Sequence, residues 1–389
     1  MKALILLPFA AALSASTIYS ITDLGGLGGA SAVGYKINGS GAVIGWAQTT
    51  SGAEHGFLSM NGGALQDLSP LLNLDTYANG INASGAIAGT SYVNGQPHGT
   101  LWTGSATTDL GAGIFATGIN DAGFVIGGNG HAFLLVNGSY QDLGALPGGG
   151  WSSASGINNA GTVVGDASTP GGTFRGFIWT PGQGMTALGT LGGDNSHATG
   201  INNNGAVIGF ASVASGYEHA FVDIGGVMID LGTLGGGSSF AYGINDGGSV
   251  VGYSWLASGQ NPHAFLYANG ILLDLNSLIP SGSGWELTGA YGINSAGQIV
   301  GEGLFHGESR AFLLDPLIGG TAAPEASTAA LVAIGLAFVL FAMKRSRAQG
   351  GTGFSLCFGA SRGLLPRADN RHQCERSSRG RIHWPLRNL

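Results

Sequence analysis

The sequence predicts an all-β chain: a seven-bladed β-propeller with four-stranded blades, an N-terminal strand closing the last blade, and a C-terminal transmembrane helix after it. Three observations carry this reading. A ten-residue motif recurs seven times at a mean spacing near 43 residues; glycine supplies 74 of the 389 residues; and the repeat starts with one strand too many and ends with one too few. With 9% charged and 44% hydrophobic residues, the chain suits many short strands joined by tight turns better than helices or disorder.

The first element is not part of the fold. Met1 to Ser20 reads MKALILLPFAAALSASTIYS, with Lys2, an apolar run from Ala3 to Leu13 and small residues Ser14 to Ser16. This is the layout of a secretory signal peptide, which assigns residues 1–16 to a cleaved leader and places the mature protein outside the cytoplasm.

The repeat occupies residues 17–320. Its first element reads INGSGAVIG from Ile37, GINASGAIAG from Gly80, GINDAGFVIG from Gly118 and GINNAGTVVG from Gly156. It continues as GINNNGAVIG from Gly200, GINDGGSVVG from Gly243 and GINSAGQIVG from Gly292. A second element starts at His55, His98, His131, Arg175, His219, His263 and Arg310, as in HAFLL from His131. The third is an Asp-Leu pair, first at Asp23-Leu24 and last at Asp274-Leu275, with Ala187-Leu188 in place of one copy.

Each unit reads as four short strands. The first ends in Gly-Ile-Asn, the second is the apolar run before the next Gly, the third is the His-Ala-Phe strand and the fourth leads into Asp-Leu-Gly. Between the first two, Asn120 and Gly123 stand at the first and fourth places of a turn, as do Asn158 and Gly161, and Asn202 and Gly205. Asn caps such a turn and Gly relieves its crowding, so each pair marks a hairpin. Four strands in about 43 residues fit a propeller blade. A β-solenoid is the alternative, but its coils use fewer residues at tighter spacing than 38 to 49. The register favours closure: Tyr19 to Leu24 is a fourth strand with no preceding first strand, and the seventh unit stops after its third strand. In a ring these two halves complete one blade.

The three elements in fixed order resemble the HAF family of bacterial extracellular repeats, over Tyr19 to about Asp315. The resemblance implies an extracellular location, association with PEP-CTERM signals and a propeller-like fold. It implies no established activity.

Pro324 to Arg347 reads PEASTAALVAIGLAFVLFAMKRSR, with an uncharged segment from Ala326 to Met343 before Lys344, Arg345 and Arg347. Eighteen helical residues span about 27 Å, enough for a bilayer core, and the basic cluster would remain cytoplasmic. Residues 321–349 resemble the PEP-CTERM sorting segment, with Pro324 and Glu325 matching and Ala326 in place of its second proline. That resemblance implies processing by an exosortase-type membrane peptidase. Residues 350–389 form a basic tail of foreign composition that holds both cysteines, Cys357 and Cys374; it reads as a disordered extension or as a product of an altered reading frame.

No cysteine lies within 17–320, so core packing rather than disulfides must hold the exported domain. Its three cations, Lys36, Arg175 and Arg310, face eighteen Asp and Glu, a net charge of −15. Such a surface repels nucleic acid and acidic polymers and suits neutral glycans, cations or protein.

Chemistry is sparse. GINDAGFVIG lacks the Lys-Ser or Lys-Thr of a phosphate loop, and LGGLGGA from Leu24 lacks a βαβ setting. No cofactor is expected; calcium is the one that Asp121, Asp246 and the neighbouring Asn oxygens would admit, against a simple turn role. The repeated histidines are expected to make structural hydrogen bonds, because arginine, which replaces two of them, cannot ligate metal. No metal site and no catalytic constellation is assigned. Glu54, Asp166, Asp194, Glu218, Glu286 and Glu302 fall outside the repeat pattern, and Trp46, Trp102, Trp151, Trp179, Trp255 and Trp285 could stack on sugars.

The expectation is therefore an envelope protein that binds polysaccharide or another protein without catalysis. The alternative is a propeller enzyme that processes polysaccharide with loop carboxylates. Two acids and an aromatic in one channel mouth would favour the enzyme; a channel of repeat backbone and small side chains would favour scaffolding or binding.

Overall fold

Seven antiparallel sheets of four strands each, every one a blade, make up the computed structural model, which describes residues 18–69, 74–259 and 261–317. The signal-peptide residues, Pro324, Glu325, the expected membrane helix, its flanking Lys344, Arg345 and Arg347, and the basic tail all lie outside the described residues. Among the described residues, no helix is long and apolar enough to cross a membrane.

Blade 3 shows how the sequence makes a blade. Phe115–Ile119, Val125–Gly128, Ala132–Val136 and Ser139–Asp142 pair in sequence order. The turn from the first strand to the second is held by Asn120, whose backbone carbonyl accepts from Gly123 at 3.0 Å and whose Oδ1 accepts from the Phe124 amide at 2.9 Å. Gly123 has φ +80°, a left-handed value that a Cβ would strain. Asn158 with Gly161 and Asn202 with Gly205 repeat the arrangement, both glycines near φ +80°.

The first strands of the other blades are Gly28–Ile37, Thr76–Ile81, Ser152–Ile157, Gly192–Ile201, Gly235–Ile244 and Trp285–Ile293. In every blade the register of this strand slips by one residue, at the position just before the Gly-Ile-Asn site. The bulge pushes the first-strand backbone toward the second strand, where the motif's last glycine receives it. A Cβ at Gly127 would collide with the Phe115 carbonyl oxygen, and Gly45, Gly165 and Gly252 stand in the same relation to their own first strands.

Blade 7 combines Trp285–Ile293, Ile299–Phe305 and Glu308–Pro316 with Tyr19–Asp23 from the start of the domain. Tyr19 lies opposite Pro316 and Asp23 opposite Phe312, so the surplus strand fills the missing outer place and covers the edge of Glu308–Pro316.

The core lies between blades. Val43, Ala47 and Phe57 of blade 1, all inaccessible to solvent, pack with Val300, Ala311 and Leu313 of blade 7. The phenylalanine of the His-Ala-Phe strand is the bulky plug of most interfaces, as Phe57, Phe177, Phe221, Phe265 and Phe312 are fully buried. Full burial of one such side chain contributes about 1.5–3 kcal/mol, so the repeat places a large apolar anchor once per blade.

Candidate functional site

The first strands line the axial channel, and its two ends differ. At one end the motif asparagines form a closed ring of hydrogen bonds. Asn38 Nδ2 donates to the Asn82 carbonyl, Asn82 to Asn120, Asn120 to Asn158, Asn158 to Asn202, Asn202 to Asn245, Asn245 to Asn294, and Asn294 back to Asn38, all at 3.0–3.3 Å. One side chain thus caps its own turn with Oδ1 and ties the next blade with Nδ2.

The residue after each asparagine adds a second tie. The amides of Ala83, Asp121, Asn159 and Asn203 donate to side-chain oxygens of Asp121, Asn159, Asn203 and Asp246 respectively, at 2.8–3.0 Å. An acceptor is needed there, and Asp or Asn supplies it equally. The oxygens that suggested calcium are engaged in this way, and among the described residues no group of three or more His, Cys, Asp or Glu is placed to hold a metal ion.

The His-Ala-Phe histidines pair with the Asp-Leu aspartates of their own blades. His55, His98, His131, His219 and His263 Nδ1 lie 2.7–3.1 Å from Asp67, Asp109, Asp142, Asp230 and Asp274. The second carboxylate oxygen of Asp109 accepts the Gly111 amide at 2.7 Å, which pins the chain as it leaves the blade. Where Ala187 replaces the aspartate, Arg175 replaces the histidine and donates to the carbonyls of Phe174 and Asp194.

The other end of the channel opens into a cavity of about 650 Å3. Two sequence positions bracketing the ten-residue motif supply most of its lining, the first in blades 1, 2, 3, 4, 6 and 7 and the second in blades 1, 6 and 7. The bulge residue before the Gly-Ile-Asn site is Tyr35, Asn79, Thr117, Ser155, Thr199, Tyr242 and Tyr291 in blades 1 to 7. The residue after the last glycine of the motif is Trp46, Thr90, Gly128, Asp166, Phe210, Tyr253 and Glu302. A bulge re-aims one side chain per strand, and here it aims seven toward the axis.

In blades 2, 3 and 5 the bulge residue is small and polar, and ties blades together. Asn79 donates to the Ala116 carbonyl at 2.9 Å, Thr117 to Ala154 at 2.7 Å and Thr199 to Ala241 at 2.6 Å. Blades 6, 7 and 1 carry tyrosine instead. The Tyr291 ring stands edge-on to Tyr35 and Tyr242 at centroid distances of 5.8 and 5.5 Å, and Tyr242 stacks with Tyr253 at 5.7 Å. Trp46 Nε1 donates to the Tyr35 hydroxyl at 3.1 Å, and the Tyr291 hydroxyl donates to Glu302 Oε1 at 2.6 Å. Burial raises the phenol pKa of Tyr291 and Tyr242 above the ordinary range, with the Glu302 charge adding to the effect at Tyr291. At Tyr35 burial also raises it, opposed by the Trp46 hydrogen bond.

Lys36 sits between the mouth and a narrower cavity of about 200 Å3 on the axis. It occupies the place of the Gly-Ile-Asn glycine, where the other six blades keep Gly80, Gly118, Gly156, Gly200, Gly243 and Gly292. Close packing against the next blade accounts for Gly80, Gly156, Gly243 and Gly292: a Cβ at Gly80 would lie 2.7 Å from Gly118 Cα. The Lys36 ammonium reaches from blade 1 to the Tyr242 carbonyl of blade 6, at 3.2 Å. Although the side chain keeps contact with the channel, protein encloses it closely enough that desolvation lowers its pKa to about 8.

Of the acids that break the repeat, Glu302 lines this mouth. Glu54 accepts from the Tyr77 hydroxyl, Asp166 pairs with His197 at 3.1 Å, and Glu286 accepts from Asn261 at 3.2 Å. Glu54 lies on blade 1, Asp166 on blade 4 and Glu286 on blade 7 with Glu302, and the charges of Glu302 and Glu54 both bear on the Tyr35 phenol. Among the tryptophans, Trp46 lines the mouth, Trp102 and Trp179 are core, Trp285 packs on Phe305, and Trp151 and Trp255 are exposed. Sequence reasoning singled out Trp46 and Glu302 but passed over Tyr35, Lys36, Tyr242, Tyr253 and Tyr291. Their signal was the variation of two columns beside a nearly invariant motif.

No protein-family profile matches the sequence, and no curated protein matches it. Solved structures similar to this chain include TolB from Acinetobacter baumannii, at 12% identity and a TM-score of 0.43 over 59% of this chain, which spans 62% of the TolB chain. AofleA from Arthrobotrys oligospora is 10% identical, with a TM-score of 0.37 over 75% of this chain and 85% of that one. Trypanosoma rangeli sialidase is 10% identical, with a TM-score of 0.35 over 78% of this chain and 56% of that one.

Proposed function

We propose that this chain is an exported cell-envelope protein whose propeller is a non-enzymatic module, binding envelope polysaccharide or protein through the channel mouth, with polysaccharide the better fit. The observation that carries this is the concentration of Tyr35, Trp46, Tyr242, Tyr253 and Tyr291 with Glu302 around one cavity. Aromatic faces cover the apolar face of a sugar ring, while phenol, carboxylate and ammonium groups at the edges hydrogen-bond its hydroxyls. A polysaccharide-processing enzyme would need a second carboxylate across the bond to be broken. Among the described residues Glu302 is the carboxylate that lines this cavity, its Oε1 accepting from Tyr291, while Glu54 accepts from Tyr77 beside it. Export, sorting by an exosortase-type peptidase and membrane attachment through the C-terminal helix rest on the terminal segments of the sequence. The test is to present the purified protein with glycans and envelope extract, recover what is retained, and follow any retained carbohydrate for turnover. Retention without turnover is the expected result; retention of neither glycan nor protein sinks the proposal.

A further inference from the structure

Lys36 is the one lysine between residues 17 and 320, and it stands where six of seven blades have glycine. A long cationic side chain at this axial ring contributes nothing to the blade pattern. Its single hydrogen bond in the structure goes to the Tyr242 carbonyl, which leaves donor capacity on the ammonium. Among the described residues the ion pairs are all histidine with aspartate, and no carboxylate lies within pairing distance of Lys36 Nζ. A poorly hydrated cation without a counter-ion is costly, and a ligand anion in the adjoining cavity would relieve that cost.

We infer that the mouth takes a sugar bearing one carboxylate, stacked among the tyrosines and Trp46 with the Lys36 ammonium as its counter-ion. This rests on the reading of the mouth as a saccharide site. The net charge of −15 over residues 17–320 and Glu302 at the wall disfavour a polyanion, so the carboxylate belongs to a single unit or a chain end. The groups that share a cavity lining with Lys36 are Tyr35 and Trp46 of blade 1, Tyr242 and Tyr253 of blade 6, and Tyr291 and Glu302 of blade 7, with the uncharged Asn79, Thr117, Ser155 and Thr199 of blades 2 to 5; Glu54 and Glu218 act on the neighbouring Tyr35 and Tyr242. Burial holds Tyr35, Tyr242 and Tyr291 protonated beyond the ordinary phenol range, while the Lys36 pKa of about 8 puts its loss of charge between neutral and mildly alkaline pH.

The experiment is calorimetric titration of the purified protein with glucuronate against glucose, and with galacturonate against galactose, at pH 7 and pH 9. At pH 7 one uronate is expected to bind about tenfold more tightly than its parent hexose, and by pH 9 most of that ratio is lost as the ammonium deprotonates. Lys36→Met should collapse the ratio at pH 7, and Lys36→Arg should keep it at both pH values. If Lys36→Met fails to fold, the wild-type pH comparison still decides. Equal binding of uronate and hexose at pH 7, or a preference unchanged at pH 9, overturns the inference. Retention of glycans from envelope extract without uronate preference does so too, yet leaves the saccharide reading intact; retention of no glycan removes both.

Discussion

The two ends of the axial channel are built from the same strands and obey opposite rules. At the turn end, seven asparagines repeat one side chain and one hydrogen bond around a closed ring. At the bulge end, seven equivalent positions carry Tyr, Asn, Thr or Ser, and blades 6, 7 and 1 concentrate the large ones. Uniformity follows from a task that every blade shares, joining its neighbour. Variation appears where the side chains line the open cavity and are not all bound to the neighbouring blade.

The strongest way to break the uniform side is Gly127→Val, which drives a side chain into the Phe115 carbonyl of the bulged strand. Urea denaturation should show a loss of about 3 kcal/mol or more. A stability loss below about 1 kcal/mol would mean that the bulge relaxes and does not require the glycine. Next is Asn158→Ala, which removes the Nδ2 donor to Asn202 and the acceptor for the amides of Ala160 and Thr162. Its expected cost is about 2 kcal/mol, from buried groups left unpaired. The same substitution should leave glycan retention unchanged if the two channel ends are independent.

On the variable side, Trp46→Ala should weaken glycan retention about tenfold while moving the denaturation midpoint little, because the ring lies at the mouth and not in the core. Loss of stability without loss of retention would assign Trp46 to packing. The smallest effect is on pH dependence. The Asp166 hydrogen bond, opposed by burial, raises the His197 pKa above 6.5. Its stabilisation is therefore fully present below pH 6.5 and is lost as pH rises through the higher folded value, an effect under about 1 kcal/mol that Asp166→Asn should flatten. At the acid end, Asp109 and Asp142 have pKa values lowered below 3.8, first by the Gly111 and Gly144 amides and then by His98 and His131. Their contribution is present above pH 3.8 and disappears as pH falls through the lower folded values, which denaturation in acid would register.

Much of the fold was legible because a blade is a local object. Asn120 and Gly123 announce a turn within four residues, and the hairpin follows from them. The orphan strand at Tyr19 likewise announces closure, since an unpaired edge needs a partner. The site was harder to see. Trp46 and Glu302 stood out because they break composition, but Tyr242 and Tyr291 are ordinary residues in a strand. Nothing local says that a residue before Gly-Ile-Asn is bulged toward the axis.

The sequence by itself determined the number of blades, their strands, their turns and the manner of closure, because each depends on contacts within one repeat or on counting repeats. Tertiary structure decided which side chains meet. Tyr35 and Tyr291 lie 256 residues apart, and Lys36 and Tyr242 lie 206 apart. They become neighbours when the ring closes and the bulges turn their side chains inward. A seven-fold repeat specifies the ring, but its one-sided mouth is set by which blades that closure brings side by side.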